Sequence, residues 1–317
     1  MVKSLLSLKN FAQLIVLLVM TSSIISGCGT SNFSVEGKVN VVTSFYPLYD
    51  FSQKIGGEFV HVINLVPTGV EPHDWTPKVK DMKNISNADV FVYNGADFEG
   101  WVDNFLDGLN KDHSFIVVEA SKGANLINTN DEADNEHEHE HEHGNFDPHI
   151  WLSPKQAKVM AENIKDAFVS IDPSHAEAYT INYQRLIDSL NELDEKLDKI
   201  VEAAPKKEIV VSHEAFGYIA RDYGIRQVAV MGLSPEAEPT VQKMREIKIF
   251  AEEHQIKYIL FEELVSSKLA ETLANSLGID TLVLNPLEGL TEKQQKAGED
   301  YFSLMESNLT TIEKALQ

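Results

Sequence analysis

The stretch that decides the architecture lies mid-chain and reads, from residue 172 to residue 205, DPSHAEAYTINYQRLIDSLNELDEKLDKIVEAAP. Asp172 can cap a helix, Pro173 fits its first turn, and Pro205 ends it. Between them, apolar residues recur at alternating spacings of four and three, which predicts one continuous helix. These residues are Leu186, Leu190, Leu193, Leu197 and Ile200. A connecting helix over 172–204 would run roughly 45 Å, enough to bridge two lobes, although packing on one lobe only is the alternative.

On both sides of this segment, short apolar runs alternate with helical stretches. Four runs precede it and four follow, at 39–44, 60–66, 89–93, 115–118, 208–212, 227–230, 258–261 and 281–284. Helices are predicted between them at 49–55, 77–85, 216–223, 240–254 and 267–277. Short apolar strands separated by helices indicate parallel sheets buried on both faces. The sequence therefore predicts an α/β fold of two lobes, 39–171 and 205–317, joined by the long helix.

The N-terminal residues predict export and lipid attachment. A mostly apolar stretch, 11–25, is too short for a comfortable membrane span but suits a signal-peptide core. It ends in Ile-Ser-Gly-Cys28, which resembles a bacterial lipobox, where the cysteine takes a lipid and becomes the new N-terminus. We expect cleavage of residues 1–27, anchoring through Cys28 on the extracytoplasmic face of the cell membrane, and a flexible tether over 28–38. An ordinary secretory signal with a stray cysteine is the alternative.

Charge and cysteine content exclude several classes of protein. Loss of residues 1–27 would remove Lys3 and Lys9 and no acid, leaving 25 basic and 49 acidic side chains. Such a chain is a poor partner for nucleic acid, whose phosphates need basic surface, and it attracts cations. Cys28 is the only cysteine, so neither a disulfide framework nor a thiolate metal cage is possible.

A histidine-rich tract interrupts the first half. Residues 131–143 read DEADNEHEHEHEH, which cannot contribute to a core and predicts a disordered loop. Because imidazole favours zinc, copper or nickel, we expect the tract to bind several ions loosely and to raise the local zinc concentration. The alternative is a solvated acidic loop. The candidate accessory ligands are His137, His139, His141 and His143.

The same tract matches the H-E-x-x-H expression of zinc proteases. That motif requires both histidines on one face of a stable helix. Here the match arises from a two-residue repeat, and no apolar positions could pack such a helix into a core. Protease activity is therefore not expected.

Three other histidines lie in structured surroundings. His73 follows the strand predicted to end at residue 66, and His213 directly follows the strand at 208–212. Ligands bind at the carboxyl ends of parallel strands, so these two should face a common cleft from different lobes. His149 follows the histidine-rich tract in the segment DPHIWLSP. Three such placements favour a metal site, although any one alone is more typical of a structural histidine.

A carboxylate is expected to complete the site. Glu288 lies just past the strand at 281–284. Competing candidates are Asp74, Glu214, Glu262 and Glu263, of which the last two are better interpreted as ion pairs or helix caps. The remaining structured histidines are expected to have surface or structural roles: His61, His113, His175 and His254.

The chemistry of such a donor set favours zinc. Three imidazoles and one carboxylate suit tetrahedral Zn²⁺, whereas Mn²⁺ prefers more oxygen ligands. Copper could bind more tightly in vitro, so affinity alone would not identify the physiological ion. A closed site of four protein ligands favours carriage over catalysis, whereas water in the fourth position would favour a hydrolase.

Six segments carry a family resemblance: VVTSFYPLYD (41–50), VEPHDWTPKVKDM (70–82), NADVFVYNGADFEGW (87–101), DPHIWLSP (147–154), VVSHEAFGYIARDYG (210–224) and LNPLEGL (284–290). In this order they resemble the zinc-binding lipoproteins of bacterial ABC importers, the cluster 9 or A-I family. The resemblance implies metal ligands at His73, His149, His213 and Glu288, and two α/β lobes joined by one helix. A histidine-rich loop is typical of the zinc branch, and manganese relatives usually replace the third histidine with a carboxylate.

Taken together, these features predict a monomeric carrier, not an enzyme, that captures Zn²⁺ as transported ligand and delivers it to the permease of an ABC importer. One alternative is a manganese-binding member of the same family. Another is an adhesin-like interaction lipoprotein with a structural metal, and a zinc hydrolase is a weaker third.

Overall fold

The computed structural model describes residues 34–109, 113–129, 145–235 and 239–317. The predicted signal peptide, Cys28, most of the tether and the tract at 131–143 lie outside the described residues. The candidate accessory ligands His137, His139, His141 and His143 lie outside them as well. Within the described ranges, no helix combines the length and the hydropathy that crossing a bilayer requires.

The first lobe is built on a four-stranded parallel sheet in the order β2-β1-β3-β4. Its strands are β1 (Val39–Thr43), β2 (Val60–Asn64), β3 (Val90–Tyr93) and β4 (Ile116–Glu119). Its helices are α1 (Tyr46–Gly56), α2 (Val79–Ser86), α3 (Val102–Asp107) and α4 (Pro154–Ile171). Every residue of β1 is buried, as expected for a central strand that is covered on both faces.

The second lobe repeats this topology with a parallel sheet in the order β6-β5-β7-β8. Its strands are β5 (Glu208–Val211), β6 (Arg226–Ala229), β7 (Tyr258–Phe261) and β8 (Asp280–Val283). Its helices are α6 (Gly217–Tyr223), α7 (Val241–Glu253), α8 (Lys268–Leu277), α9 (Glu292–Ala297) and α10 (Tyr301–Ala315). The predicted fold class, two α/β lobes with parallel sheets joined by a long helix, is therefore confirmed.

The connecting helix is α5 (Ala176–Ala203), and it packs against α1 and α4 of the first lobe and α10 of the second. It therefore bridges the lobes, and the alternative of packing on one lobe is wrong. Its buried face consists of Tyr179, Leu186, Leu190, Leu193, Leu197 and Val201. Ile200, which the pattern placed on this face, is only partly buried because Val201 points inward instead.

The helix begins four residues later than predicted. A 3₁₀ turn at Pro173–His175 precedes it, and Asp172 closes α4 without capping α5. The Asp172 carboxylate accepts hydrogen bonds from the Tyr179 hydroxyl (2.8 Å) and from Nδ1 of His175 (2.6 Å). Asp172 therefore stabilises the junction between α4 and α5 through side chains.

One hydrophobic core contains buried residues of both lobes, and a smaller second core lies within the second lobe. Nε1 of Trp151 in the first lobe donates to the carbonyl of Pro286 in the second (2.7 Å). The hydroxyl of Tyr301 donates back to the carbonyl of Trp151 (2.6 Å). These bonds cross the lobe boundary beside the segment that carries Glu288, and they fix that segment relative to the first lobe.

All eight strands occur within two residues of their predicted bounds, but four helices were not predicted. These are α3, α4, α9 and α10. The longest of them, α4, lacks a strong stripe of large apolar residues, because small residues such as Ala157, Ala161 and Ala167 form much of its buried face.

Candidate metal centre

Four side chains from both lobes converge in the cleft at the carboxyl ends of the strands. His73 lies in the loop after β2, His149 between β4 and α4, His213 two residues after β5, and Glu288 five residues after β8. One ligand atom from each lies within 4.8 Å of all the others. In the described part of the chain, no other group of three or more such residues could hold a metal ion.

The spacing of the four donor atoms fits a tetrahedral ion. Nε2 of His149 lies 3.1 Å from Nε2 of His213 and 3.2 Å from Nε2 of His73. Oε1 of Glu288 lies 3.3, 3.4 and 3.7 Å from Nε2 of His73, His149 and His213 respectively. These are five of the six edges of a tetrahedron, and they average about 3.3 Å. A regular tetrahedron with that edge has its centre about 2.0 Å from each corner, which is the usual zinc–nitrogen and zinc–oxygen distance.

Two buried carboxylates fix the tautomers of two of these imidazoles. Nδ1 of His149 donates to Oδ1 of Asp147 (2.8 Å), and Nδ1 of His213 donates to Oε1 of Glu262 (3.0 Å). In the neutral rings, both Nε2 atoms then carry lone pairs, and these two atoms lie only 3.1 Å apart. Such a contact is stable only with a proton or a cation between the lone pairs, so this donor set calls for a positive ion.

The ionisation of the site follows from its burial and its neighbours. Burial would lower the pKa of His149, but hydrogen bonds to Asp147 and Glu288 outweigh it and raise that pKa to about 9. Burial would raise the pKa of Glu288, but the imidazoles of His73 and His149 hold it well below its usual range. Burial lowers the pKa of His73. At neutral pH the site thus presents a carboxylate and a proton on His149 that a metal ion would replace.

Comparison with known proteins agrees with this geometry. Residues 41–315 match the family described as ZnuA, zinc-uptake complex component A, periplasmic. The chain belongs to this family. It is 41% identical over 300 residues to the high-affinity zinc uptake system protein ZnuA of Bacillus subtilis (strain 168), covering 92% of this chain and 94% of that protein.

Streptococcal relatives extend the comparison. The chain is 42% identical over 287 residues to the zinc-binding protein AdcA of Streptococcus pyogenes serotype M3, covering 87% of this chain but only 56% of that longer protein. Its fold matches the Zn(II)-bound ZnuA-like domain of Streptococcus pneumoniae AdcA with a TM-score of 0.76 and 38% identity, covering 88% and 99% of the two chains. It also matches the laminin-binding protein Lmb of Streptococcus agalactiae with a TM-score of 0.77 and 29% identity, covering 88% and 100%.

In this family member, the loop that carries His73 is built by Glu71 and Gly69. Oε1 of Glu71 accepts from the backbone N–H of His73 (2.9 Å), and burial together with the charge of Glu288 raises the pKa of Glu71 to about 7. The N–H of Gly69 donates to the carbonyl of Leu290 (2.8 Å). The His73 loop is therefore attached to the loop that presents Glu288.

Asp147 is held by α6 of the opposite lobe. The Tyr218 hydroxyl donates to the carbonyl of Asp147 (2.6 Å). At Gly217, a Cβ atom would lie 2.4 Å from Oδ2 of Asp147, so only glycine allows this approach without displacement. The segment after His213 thus positions the carboxylate that orients His149.

The competing carboxylates lie elsewhere or have other roles. Glu262 is the partner of Nδ1 of His213, in line with its interpretation as an ion pair. Glu263 accepts from Nδ2 of Asn285 (3.2 Å), and Asp74 is exposed. Neither of these two, nor Glu214, belongs to the cluster of donor atoms.

Sequence reasoning missed Asp147, although it stands two residues before His149 in the quoted segment DPHIWLSP. A carboxylate at that spacing was the available signal. Among the histidines expected to be structural, His175 stacks on Phe59 (4.0 Å between ring centroids) and His254 on Phe250 (4.2 Å). Nδ1 of His113 lies 3.1 Å from the carbonyl oxygen of Phe115.

Proposed function

We propose that this chain captures one Zn²⁺ outside the cytoplasm, between its two lobes, and delivers it to the permease of an ABC-type importer. The observation that carries the proposal is the tetrahedral spacing of three imidazole nitrogens and one carboxylate oxygen, with two of the rings held by carboxylates. Similarity to proteins named for zinc uptake and zinc binding supports it. The proposed ligands are His73, His149, His213 and Glu288.

The donor set favours zinc over manganese. Three nitrogen donors at tetrahedral spacing suit Zn²⁺, whereas Mn²⁺ prefers more oxygen donors and a higher coordination number. Three nearby carboxylates, on Asp147, Glu262 and Glu288, are almost fully buried, and their charge favours a divalent ion. Copper would compete in vitro by the Irving–Williams order, so the physiological ion must be identified from protein isolated from cells.

The same geometry favours carriage over catalysis. Oε1 of Glu288 occupies the fourth corner of the tetrahedron, which leaves no open position for a reactive water. A zinc hydrolase would need that position. Purified protein that hydrolyses ester or peptide substrates only when loaded with zinc would contradict this part of the proposal.

Two further features of the proposed carrier rest on the sequence. Cys28 would carry the lipid that keeps the monomeric protein at the outer face of the membrane. The tract at 131–143, with its four histidines, would collect zinc beside the site. Deleting this tract should slow zinc acquisition at scarce zinc and leave the equilibrium affinity of the cleft site nearly unchanged.

The decisive experiment combines binding with uptake. Protein stripped by a chelator should stay folded, and competition with chelators of graded affinity should then show one tight Zn²⁺ site that prefers zinc to manganese. H149A should keep only a residual site weakened by more than roughly 100-fold, whereas H254A, which removes a histidine stacked on Phe250 instead, should keep the tight site. Cells lacking the native gene should regain growth on scarce zinc with H254A and fail with H149A. Unchanged affinity in H73A, H149A and H213A would refute the site.

A second candidate function, adhesion, has one observation in its favour. The similar Lmb of Streptococcus agalactiae is described as a bifunctional protein with adhesin and metal transporting activity. If this chain binds an extracellular matrix protein such as laminin, the purified chain should be retained on a laminin-coated surface in both wild-type and H149A forms. No retention of either form would exclude laminin binding and leave zinc capture unaffected.

A further inference from the structure

One segment quoted for the family resemblance, NADVFVYNGADFEGW, contains no proposed ligand, yet its turn has an unusual backbone. After β3, the chain turns through Gly95 (φ 79°), Ala96 (φ 50°) and Asp97 (φ 64°). Three successive residues in the left-handed region include two that carry a Cβ atom. Such conformations cost free energy and persist only where surrounding contacts fix them, often beside functional sites.

The contacts that fix this turn come mainly from Glu99. Its carboxylate accepts from the backbone N–H groups of Asn94 (2.8 Å) and Gly95 (3.1 Å) and from the hydroxyl of Ser44 (2.5 Å). Burial raises the pKa of Glu99 to about 7, so a charged carboxylate here is retained at a cost. At Gly95, a Cβ atom would lie 2.6 Å from side-chain atoms of Glu119, which leaves room for glycine only.

The first residue of the turn reaches one side of the metal centre. Asn94 is fully buried, and its Nδ2 donates to the carbonyl of Pro148 at 2.9 Å. That carbonyl belongs to the peptide bond that leads into His149. The bond therefore fixes the backbone from which the His149 ring projects.

The fifth residue of the turn reaches the other side. The ring of Phe98 lies edge to face against the His73 ring, 5.0 Å between centroids. Phe98 is itself packed against Phe45 (4.7 Å) and Trp151 (5.2 Å) in the shared core. Among the described residues, His73 has no carboxylate on Nδ1, and Phe98 is the one aromatic side chain outside the proposed ligands whose ring contacts it.

We propose that the turn 94–99 positions both metal ligands of the first lobe, with Asn94 acting through His149 and Phe98 acting through His73. This inference rests on the proposed function, because it assigns the turn a role at the zinc site. Neither side chain offers an atom to the metal. Both are positioning residues.

A double-mutant cycle tests whether Asn94 acts through His149. N94A should weaken zinc binding about 10- to 100-fold, as for other partners outside the ligand set. In an H149A background, N94A should cause no further loss, because the ring it positions is absent. In an H213A background, the loss should persist. Equal losses in both backgrounds would overturn the proposal.

Asn163 provides the matched control. Its Nδ2 donates to the backbone carbonyls of Ala120 and Lys122 (2.9 Å each), in the same lobe but away from the ligands. N163A should lower the melting temperature, as N94A does, and leave zinc affinity within about twofold of wild type. If N163A weakens zinc binding as much as N94A, general destabilisation explains both.

A second double-mutant cycle tests whether Phe98 acts through His73. F98L keeps an apolar side chain but loses the edge-to-face contact, and it should weaken zinc binding in the wild-type and H149A backgrounds but not in H73A. Bound Co²⁺ should report the change directly through its visible ligand-field bands, which F98L and N94A shift and N163A does not. If H149A and H213A bind zinc normally, the proposed function fails. If they bind zinc more weakly but measurably and the cycles are additive, only the present inference fails.

Discussion

The three imidazoles of the candidate metal centre are supported in two different ways. His149 and His213 are almost fully buried, and each donates Nδ1 to a buried carboxylate, Asp147 or Glu262. His73 is the most exposed, at 11% of its side chain, and an aromatic ring supports it instead. A carboxylate fixes both the direction and the tautomer of a ring, whereas a ring contact fixes direction alone. The difference indicates that most of the preorganisation of the site lies in the two carboxylate–imidazole pairs.

The largest expected effect comes from removing the ligands themselves. H149A and H213A should each weaken zinc binding by more than roughly 100-fold, the upper end of the range for partners outside the ligand set. H73A should cost less, because a ring with fewer constraints must be ordered when the ion binds and so contributes less net free energy. Chelator competition on the three variants measures the ranking. An H73A loss larger than both others would break the comparison.

Next in size is the loss of the supporting carboxylates. D147N and E262Q remove the charge behind His149 and His213 while keeping shape, and each should weaken zinc binding about 10- to 100-fold. E263Q is the matched control, because Glu263 is adjacent in sequence but bonds Asn285 and Gln294 instead. Equal effects of E262Q and E263Q would show that total negative charge, and not support of the ring, decides affinity.

These partners mark the limit of what the sequence predicts. His213 was predictable because it lies two residues after β5, at the edge where parallel strands present ligands. His149 lies 30 residues after β4, beyond the histidine-rich tract, so no strand end indicated its position. Its place directly after the tract made it a candidate, and the family resemblance implied that it is a ligand. The parallel sheets followed from runs of β-branched residues, whose pattern depends on local sequence alone.

Orientation was harder to predict than position. Glu262 and Glu263 are neighbours after β7, but only Glu262 contacts His213. A difference of one residue in the loop therefore decides which carboxylate supports the ring. Asp147 receives its place from Gly217 and Tyr218 of the other lobe, a contact between segments 70 residues apart. Such partners depend on the packing of the lobes, which no local pattern encodes.

An effect of intermediate size is expected in the pH dependence of zinc binding, which should distinguish the carboxylate-supported His149 from the ring-supported His73. Because the pKa of His149 is raised to about 9, its imidazole is protonated on both nitrogens at pH 7, and zinc must displace the proton on Nε2. Affinity should fall about tenfold per pH unit as pH drops below 9, with about one proton released per ion. The lowered pKa of His73 means that this ring adds no such proton.

Calorimetry in buffers of different ionisation enthalpy measures this release. D147N should reduce it at pH 7, because the bond that raises the pKa of His149 is weakened. F98L should not, because Phe98 supports a ring that is already neutral. Zinc binding without proton release at pH 7 would contradict the assignment of the proton to His149.

The smallest expected effect tests how far support extends beyond the carboxylates. Y218F removes the hydroxyl that donates to the carbonyl of Asp147 and accepts from the backbone N–H of Ile127, and it should cost about 2 kcal/mol of unfolding free energy, at about 1 kcal/mol for each hydrogen bond. Y223F removes a hydroxyl that donates to Asp194 (2.8 Å), which is not one of the proposed ligands or their carboxylate partners, and it should cost about 1 kcal/mol. Only Y218F should also weaken zinc binding, by a few-fold, because only there does the lost bond free the backbone of a residue that orients a ligand. Denaturant unfolding and chelator competition on the two variants separate stability from positioning, and equal zinc affinities would confine the support of His149 to the Asp147 side chain.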